Sequence, residues 1–311
     1  MNNFTHVPVL LEEAVGALQP VAGGVYLDGT FGGGGYARAI LLRADCRLYA
    51  IDRDDEAVAR ASAVLATFPE RFAIMPGRIS ELASLLAERG VTGLDGAVFD
   101  LGLSSYQIDD PARGFSFRQD GPLDMRMGQN GRSAADIVNF YPEAELADLL
   151  FNYGDEKASR RVARAIIERR SVQKFLTTAD LAGVIRGVVR ADKSGLDPAT
   201  RSFQALRIAV NEELADIEAA LAQAASLLRP GGRLVVVSFH SLEDRIVKHF
   251  FAASAGRQPG ASRHDPAGLM PASAPDFKLV TKSPVAPAAH EVRINPRARS
   301  AKLRVMERLA A

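Results

Sequence analysis

The chain holds a single cysteine, Cys46, among 311 residues. One thiol excludes an internal disulfide framework and any cysteine-rich zinc site. No stretch reaches the ~18 uninterrupted apolar residues that a membrane-spanning helix needs. The segment from Met1 to Leu11 lacks the basic start and long apolar run of a secretory signal. Net charge is only +1, so any polyanion would have to be met by local clusters. No internal repeat and no metal-ligand cluster stand out, and metal-independent chemistry is expected. Hydrophobic residues make up 47%, which suits a globular, soluble, cytoplasmic protein of one large or two ordinary domains.

What is present is a rhythm of short strands and helices. Val25–Asp28 is an apolar run ending in an acid, followed by a glycine cluster and a helical pattern at Ala37, Ile40 and Leu41. Arg47–Asp52 is a second strand ending in an acid. Asp54 and Asp55 can cap the next helix, with Ala57, Val58, Ala61, Val64 and Leu65 on its apolar side. Phe72–Met75 is a third strand. A helix at Leu82, Leu85 and Leu86 stops at Gly90, and Asp95–Asp100 is a fourth strand. This alternation predicts βαβ units and a mostly parallel sheet. Right-handed crossovers place Asp28, Asp52 and Asp100 on one sheet edge, where open α/β sheets bind ligands.

From about Ser104 to Thr200 the rhythm breaks. The spacing predicts a long loop, then helices at Ala134–Asn139, Glu143–Phe151, Glu156–Arg170, Thr178–Val189 and Pro198–Ser226. Arg229–Gly232 turns into a buried apolar strand, Arg233–Ser238, and Leu242–Phe251 forms a helix. Residues Ala252–Ala289 read as a flexible surface stretch, and strands near Phe277–Thr281 and Ala301–Met306 complete the sheet. The expected organisation is a discontinuous Rossmann-like α/β domain, 1–104 with 205–311. It carries a helical insert, 105–204, suited to substrate recognition.

The sharpest motif is Asp28-Gly29-Thr30-Phe31-Gly32-Gly33-Gly34-Gly35-Tyr36. Glycines let the backbone turn tightly and approach a ligand. Asp28 can accept from the ammonium of a methionine moiety, whereas a pyrophosphate would be repelled there. Asp52 can accept both hydroxyls of a ribose. S-adenosylmethionine (SAM) fits both acids. A dinucleotide fits Asp52 but not Asp28, and a loop packed for its own sake needs neither. Asp100-Leu101-Gly102-Leu103-Ser104-Ser105 ends strand four, where a carboxylate can accept from a substrate amine. Asp before Gly is also a common turn pair.

Methylating C5 of a pyrimidine needs a thiolate to add at C6. Cys46 sits before strand two, at the opposite end from the acids, so an exocyclic amine or a hydroxyl is the expected target. Those need in-line placement and a proton acceptor. Asp100, Ser104 and Ser105 supply acceptors. His240, just past strand five, can shuttle a proton, although a lone His is more often structural. Arg293, Arg297, Arg299, Lys302, Arg304 and Arg308 crowd the C-terminal segment, and Lys157, Arg160, Arg161, Arg164, Arg169 and Arg170 crowd one insert helix. Such clusters suit phosphates, or else a solvated helix face. Tyr106, Phe115 and Phe117 suit base stacking or packing of the long loop.

Further strings run through the chain. They are His6–Leu11, Asp100–Gln107, Arg113-Gly114-Phe115-Ser116-Phe117, Gly121–Met127, Asn152–Glu156, Pro198–Ile208, Ser238–Arg245 and Asn295–Ser300. With the Asp28–Tyr36 loop they closely resemble, nearly end to end, the ribosomal RNA small-subunit methyltransferase H family, also called MraW. The resemblance implies a class I SAM-dependent methyltransferase acting on N4 of one cytidine in the decoding region of 16S ribosomal RNA, in the assembled small subunit. It implies a SAM site at Gly34, Gly35, Tyr36, Asp52, Ile79, Asp100 and Gln107, to which the loop reading adds Asp28 and Gly32. Tyr36 stands where many members carry His, and Ile79 where many carry Phe. The Asp100 motif lacks the Pro-Pro-aromatic element of DNA amino-methyltransferases. The expected mechanism is direct SN2 transfer with Asp100 orienting the amine.

Overall fold

The computed structural model describes residues 8–128, 130–191, 195–257 and 275–310. They group into a sheet unit, Thr5–Gly102 with Leu214–Ala311, and a helical unit containing Leu103–Glu213.

In the sheet unit, β1 (Val25–Asp28), β2 (Arg47–Asp52), β3 (Phe72–Pro76), β4 (Leu94–Asp100) and β5 (Leu228–Ser238) run parallel. β6 (Phe277–Leu279) and β7 (Lys302–Arg308) add an antiparallel ending, giving the order β3-β2-β1-β4-β5-β7-β6. The chain walks outward from β1 to β3, then returns to lay β4 on the other side of β1. The topological switch point therefore falls between β1 and β4. Side chains alternate across the sheet. Val98, Val235, Val237, Leu303 and Val305 join one core with α1 (Leu11–Leu18) and α2 (Gly35–Arg43). Ala97, Phe99, Leu234, Val236 and Met306 join the opposite core with α5 (Leu82–Glu88) and α12 (Glu213–Leu227). Burial on both faces explains why these strands read as continuous apolar runs.

The helix after Asp54 is two pieces, α3 (Asp55–Arg60) and α4 (Ser62–Thr67), capped at the start by Asp54 accepting from the Glu56 N–H at 3.1 Å. β5 begins earlier than the apolar run. Residues 229–232 bulge out opposite Asp95, with Gly231 at φ 81°, and Arg229 meets the Asp95 carboxylate at 2.8 Å. Of the stretch 252–289, residues 258–274 lie outside the described residues. α13 (Ser241–Ser254) runs into its start. α1 and α14 (Ala289–Ile294) are short helices without a side-chain cap; α1 nonetheless buries Ala14, Val15 and Leu18 at helical spacing, a signal the sequence reading missed.

The helical unit holds α6 (Ser105–Asp109), α7 (Ala134–Phe140), α8 (Glu143–Gly154), α9 (Ser159–Val172), α10 (Thr178–Val188) and α11 (Thr200–Asn211). Val162, Ile166, Leu181, Ile185, Phe203 and Leu206 recur at helical spacing and form its core. One long helix over Pro198–Ser226 does not form. Glu212 adopts φ 53° and separates α11 from α12. Asn211 reinforces the break by donating to the Met125 carbonyl at 2.8 Å and accepting from the Met127 N–H at 2.9 Å. Accordingly α11 groups with the helical unit, and the division falls after Glu213 rather than after 204. No described helix is long and apolar enough to cross a membrane.

Candidate active site at the switch point

Parallel register brings the strand ends to one edge. Asp28 pairs with Ala50 of β2 and Val98 of β4 in Cα register, so Asp52 and Asp100 each lie two residues beyond its row. Asp28 is 1% exposed. Its Oδ1 accepts from the Thr30 N–H at 3.2 Å, and its Oδ2 has no partner. Burial pushes this carboxyl up to about 7, helped by the charges of Asp100 and Asp52 and opposed by the backbone N–H groups of Thr30 and, more weakly, Ala37. Asp100 is likewise pushed up to about 7, first by burial and then by the Glu243 charge. Its backbone N–H donates to Thr30 Oγ1 at 2.6 Å. Thr30 thus ties the two acids together. The sequence offers only one clue to this, its place two residues past the first acid.

Asp52 is also raised by burial, though its Oδ2 accepts from the Gly32 N–H at 2.7 Å and its Oδ1 from the Asp54 N–H at 2.9 Å. One lone pair on each oxygen remains for a ligand hydroxyl. The loop between these acids turns at Gly34, whose φ of 74° costs any side chain about 1–2 kcal/mol. Gly34 leads into α2, whose first N–H groups have no partner within the helix. At Gly35 a Cβ would collide with the Pro8 ring. Tyr36 is 4% exposed, and its hydroxyl donates to the Val9 carbonyl. Its side chain is therefore committed to the core, and only its backbone can meet a ligand. Ile79 opens a short 3-10 turn after β3 and packs half-buried on the lower core.

Three other candidates sit at helix starts. Ser104 and Gln107 open the helical unit and cap α6 reciprocally. Ser104 Oγ accepts from the Gln107 N–H at 3.3 Å, and Gln107 Oε1 accepts from the Ser104 N–H at 3.1 Å. His240 caps α13 in the same manner. Its Nδ1 accepts from the Glu243 N–H at 3.5 Å, and its Nε2 lies 2.9 Å from Glu243 Oε1. Each cap uses one acceptor site: Ser104 keeps its O–H and a second lone pair, and His240 Nε2 faces the Glu243 carboxylate.

The basic clusters divide the same way. Lys302 and Arg304 both hold Asp244, at 3.0 and 2.7 Å, and Arg308 reaches the Leu228 carbonyl at 2.7 Å, so half of the C-terminal cluster is internal. In the insert, Arg170 donates to the Val138 carbonyl at 2.7 Å and Arg169 lies over the Phe175 ring. Phe115 is buried in the helical core, and Phe117 meets Phe203 edge-on at 4.7 Å. Packing, not base stacking, accounts for both rings. Cys46 is buried at the start of β2, at the opposite sheet edge from Asp52.

A Rossmann-like sheet with this order, a buried and a half-buried acid at its switch point and a glycine loop after the first defines a class I SAM-dependent methyltransferase. The unpartnered Asp28 Oδ2 asks for the cationic donor that the ammonium of SAM provides. The chain belongs to the MraW methylase family, whose pattern matches residues 3–309. Similar relatives carry the name ribosomal RNA small subunit methyltransferase H. One from Acidiphilium cryptum (strain JF-5) is 65% identical over 99% of this chain and 99% of its own length. Another, from Granulibacter bethesdensis (strain ATCC BAA-1260 / CGDNIH1), is 57% identical over 97% of this chain and 91% of its own. A third, from Rhodospirillum rubrum (strain ATCC 11170 / ATH 1.1.1 / DSM 467 / LMG 4362 / NCIMB 8255 / S1), is 55% identical over 99% and 96%.

Proposed function

We propose that this chain methylates the N4 amine of one cytidine in the decoding region of 16S ribosomal RNA, acting in the cytoplasm on the assembled small subunit and without a metal ion. The relatives' shared name supports a small-subunit RNA target. The observation that carries the chemistry is the pair of raised carboxyls at adjacent strand ends, one fully and one half buried, with Thr30 bonded to the Asp28 carboxylate and to the Asp100 backbone.

SAM, when bound, supplies an electrophilic methyl group on a sulfonium. Asp28 Oδ2 would accept from its ammonium. Gly32, Gly34, Gly35 and Tyr36 would offer backbone to it, Asp52 would accept from the ribose hydroxyls, and Ile79 would give apolar contact to adenine. Gln107 belongs to this set on the family resemblance alone.

The N4 lone pair is delocalised into the cytosine ring, so the amine is a poor nucleophile. Asp100 accepts a hydrogen bond from the amine N–H, which polarises the bond and turns the nitrogen toward the methyl group. The nitrogen would attack the methyl carbon in line as the methyl–sulfur bond breaks, leaving S-adenosylhomocysteine, and its proton would pass to Asp100 during or after transfer. Only the ionised Asp100 can do this, so its position near 7 sets an acid limb. Buried Cys46 is out of reach for addition at C6, which disfavours methylation at C5.

The test is mass analysis of 16S RNA nucleosides from cells with and without the gene. Loss of N4-methylcytidine, or of a dimethylated form containing it, is the expected result. Unchanged nucleosides would overturn the target.

A further inference from the structure

The helical unit holds a cavity that the chemistry above does not use. Its volume is ≈ 690 Å³, within the range of small-ligand sites. Three arginines line it: Arg161 on α9, Arg186 on the last turns of α10, and Arg190 just beyond that helix. The rest of the wall is Gly187, Val188, Pro198 and their neighbours, and no acid lines it among the described residues.

The three guanidinium groups are not equivalent. Arg186 is fixed. Its Nε and Nη2 donate to the Asp197 carboxylate at 3.1 and 2.9 Å, and its guanidinium lies 5.4 Å from the Phe117 ring centroid. Arg161 and Arg190 are exposed and make no ion pair among the described residues. Two cations without an ion pair among the described residues repel each other across one hollow, and an anion between them converts that repulsion into attraction. A guanidinium fork matches phosphate oxygens bidentately. α9 extends the same field with exposed Arg160 and Arg164. Arg164 has only a loose, exposed contact to Glu143 at 3.8 Å.

We propose that this cavity seats one or two backbone phosphates of the RNA substrate, held by Arg161 and Arg190. This rests on the reading of RNA as substrate, because that molecule supplies the phosphates. The apolar wall leaves room for a splayed base against a guanidinium plane, as single-stranded RNA presents. Arg186, already neutralised by Asp197, shapes the seat rather than charging it.

The experiment uses the full chain as an R161A/R190A double variant, with unmethylated small subunits as the probe. Binding is measured across a salt series. Losing two phosphate contacts weakens affinity about ten- to a hundredfold. The slope of log affinity against log salt falls in magnitude by about 1.4. KM for the subunit rises while kcat at saturation, SAM affinity and melting stay as in the wild type. An R161K/R190K variant recovers the slope but only part of the affinity, since a lysine cannot bind bidentately. Wild-type affinity and slope in the alanine variant would overturn the proposal, as would weaker binding with an unchanged slope. If the wild-type protein binds neither subunits nor 16S RNA, the substrate reading falls and this inference with it.

Discussion

Asp28→Asn keeps the shape of the side chain at the end of β1 and removes its charge. In the ligand-free protein burial holds this carboxyl near 7, against 3.8 for a free one. Between those two values the folded chain carries more proton than the unfolded chain, so this site lowers stability as pH rises from about 4 and levels off above about 7. The displacement amounts to at most ~4 kcal/mol at pH 8 and ~2 kcal/mol at pH 5. An amide carries no such slope. Its own buried, unpaired donor costs ~1–3 kcal/mol, the same at both pH values, and cancels from the difference. Urea unfolding without ligand should therefore show the variant gaining ~2 kcal/mol on the wild type between pH 5 and pH 8. In the same protein SAM affinity should fall about a hundredfold, because a charge-assisted hydrogen bond is lost. Parallel pH dependence of the two proteins would refute the buried-acid reasoning. Unchanged SAM affinity would refute the ammonium role.

Asp100→Asn should bind SAM within a few-fold of the wild type while kcat falls about a hundredfold or more, and the acid limb near pH 7 should vanish from its rate profile. Normal turnover in that variant would remove Asp100 from the chemistry. His240→Ala should lose about 1 kcal/mol of stability in urea unfolding, and His240→Asn, a good helix starter, should restore both stability and activity. If Asn restores stability but not methyl transfer, His240 handles a proton after all. Gln19 ends α1 exposed at φ 52°, so Gln19→Gly should gain about 1 kcal/mol, read as a melting point higher by about 2 °C. A lower melting point would show that the left-handed turn is not strained.

The strand ends, the acids and the glycine loop were legible in the sequence because each is a local signal. An apolar run stops at a charge, and a glycine cluster follows it. Periodicity likewise marked the insert helices from Ala134 onward, since one face of each must be buried, but not the five-residue α6, which reads as part of the long loop. The break at Glu212 was not legible, because Ala, Glu and Leu continue the helical pattern straight through it. The stop comes from Asn211 bonding to Met125 and Met127, more than eighty residues away.

The division at the site has the same cause. Residue type and order alone determined that three acids end three parallel strands, and that no thiol stands among them. Only tertiary structure decided what each polar group has left to give. Ser104 and His240 each put one acceptor into a helix start, Tyr36 gives its hydroxyl to the Val9 carbonyl, and Lys302 and Arg304 hold Asp244. Asp28 keeps one oxygen unpartnered. A sequence names donors and acceptors, but burial and partner geometry determine which of them remain free to act.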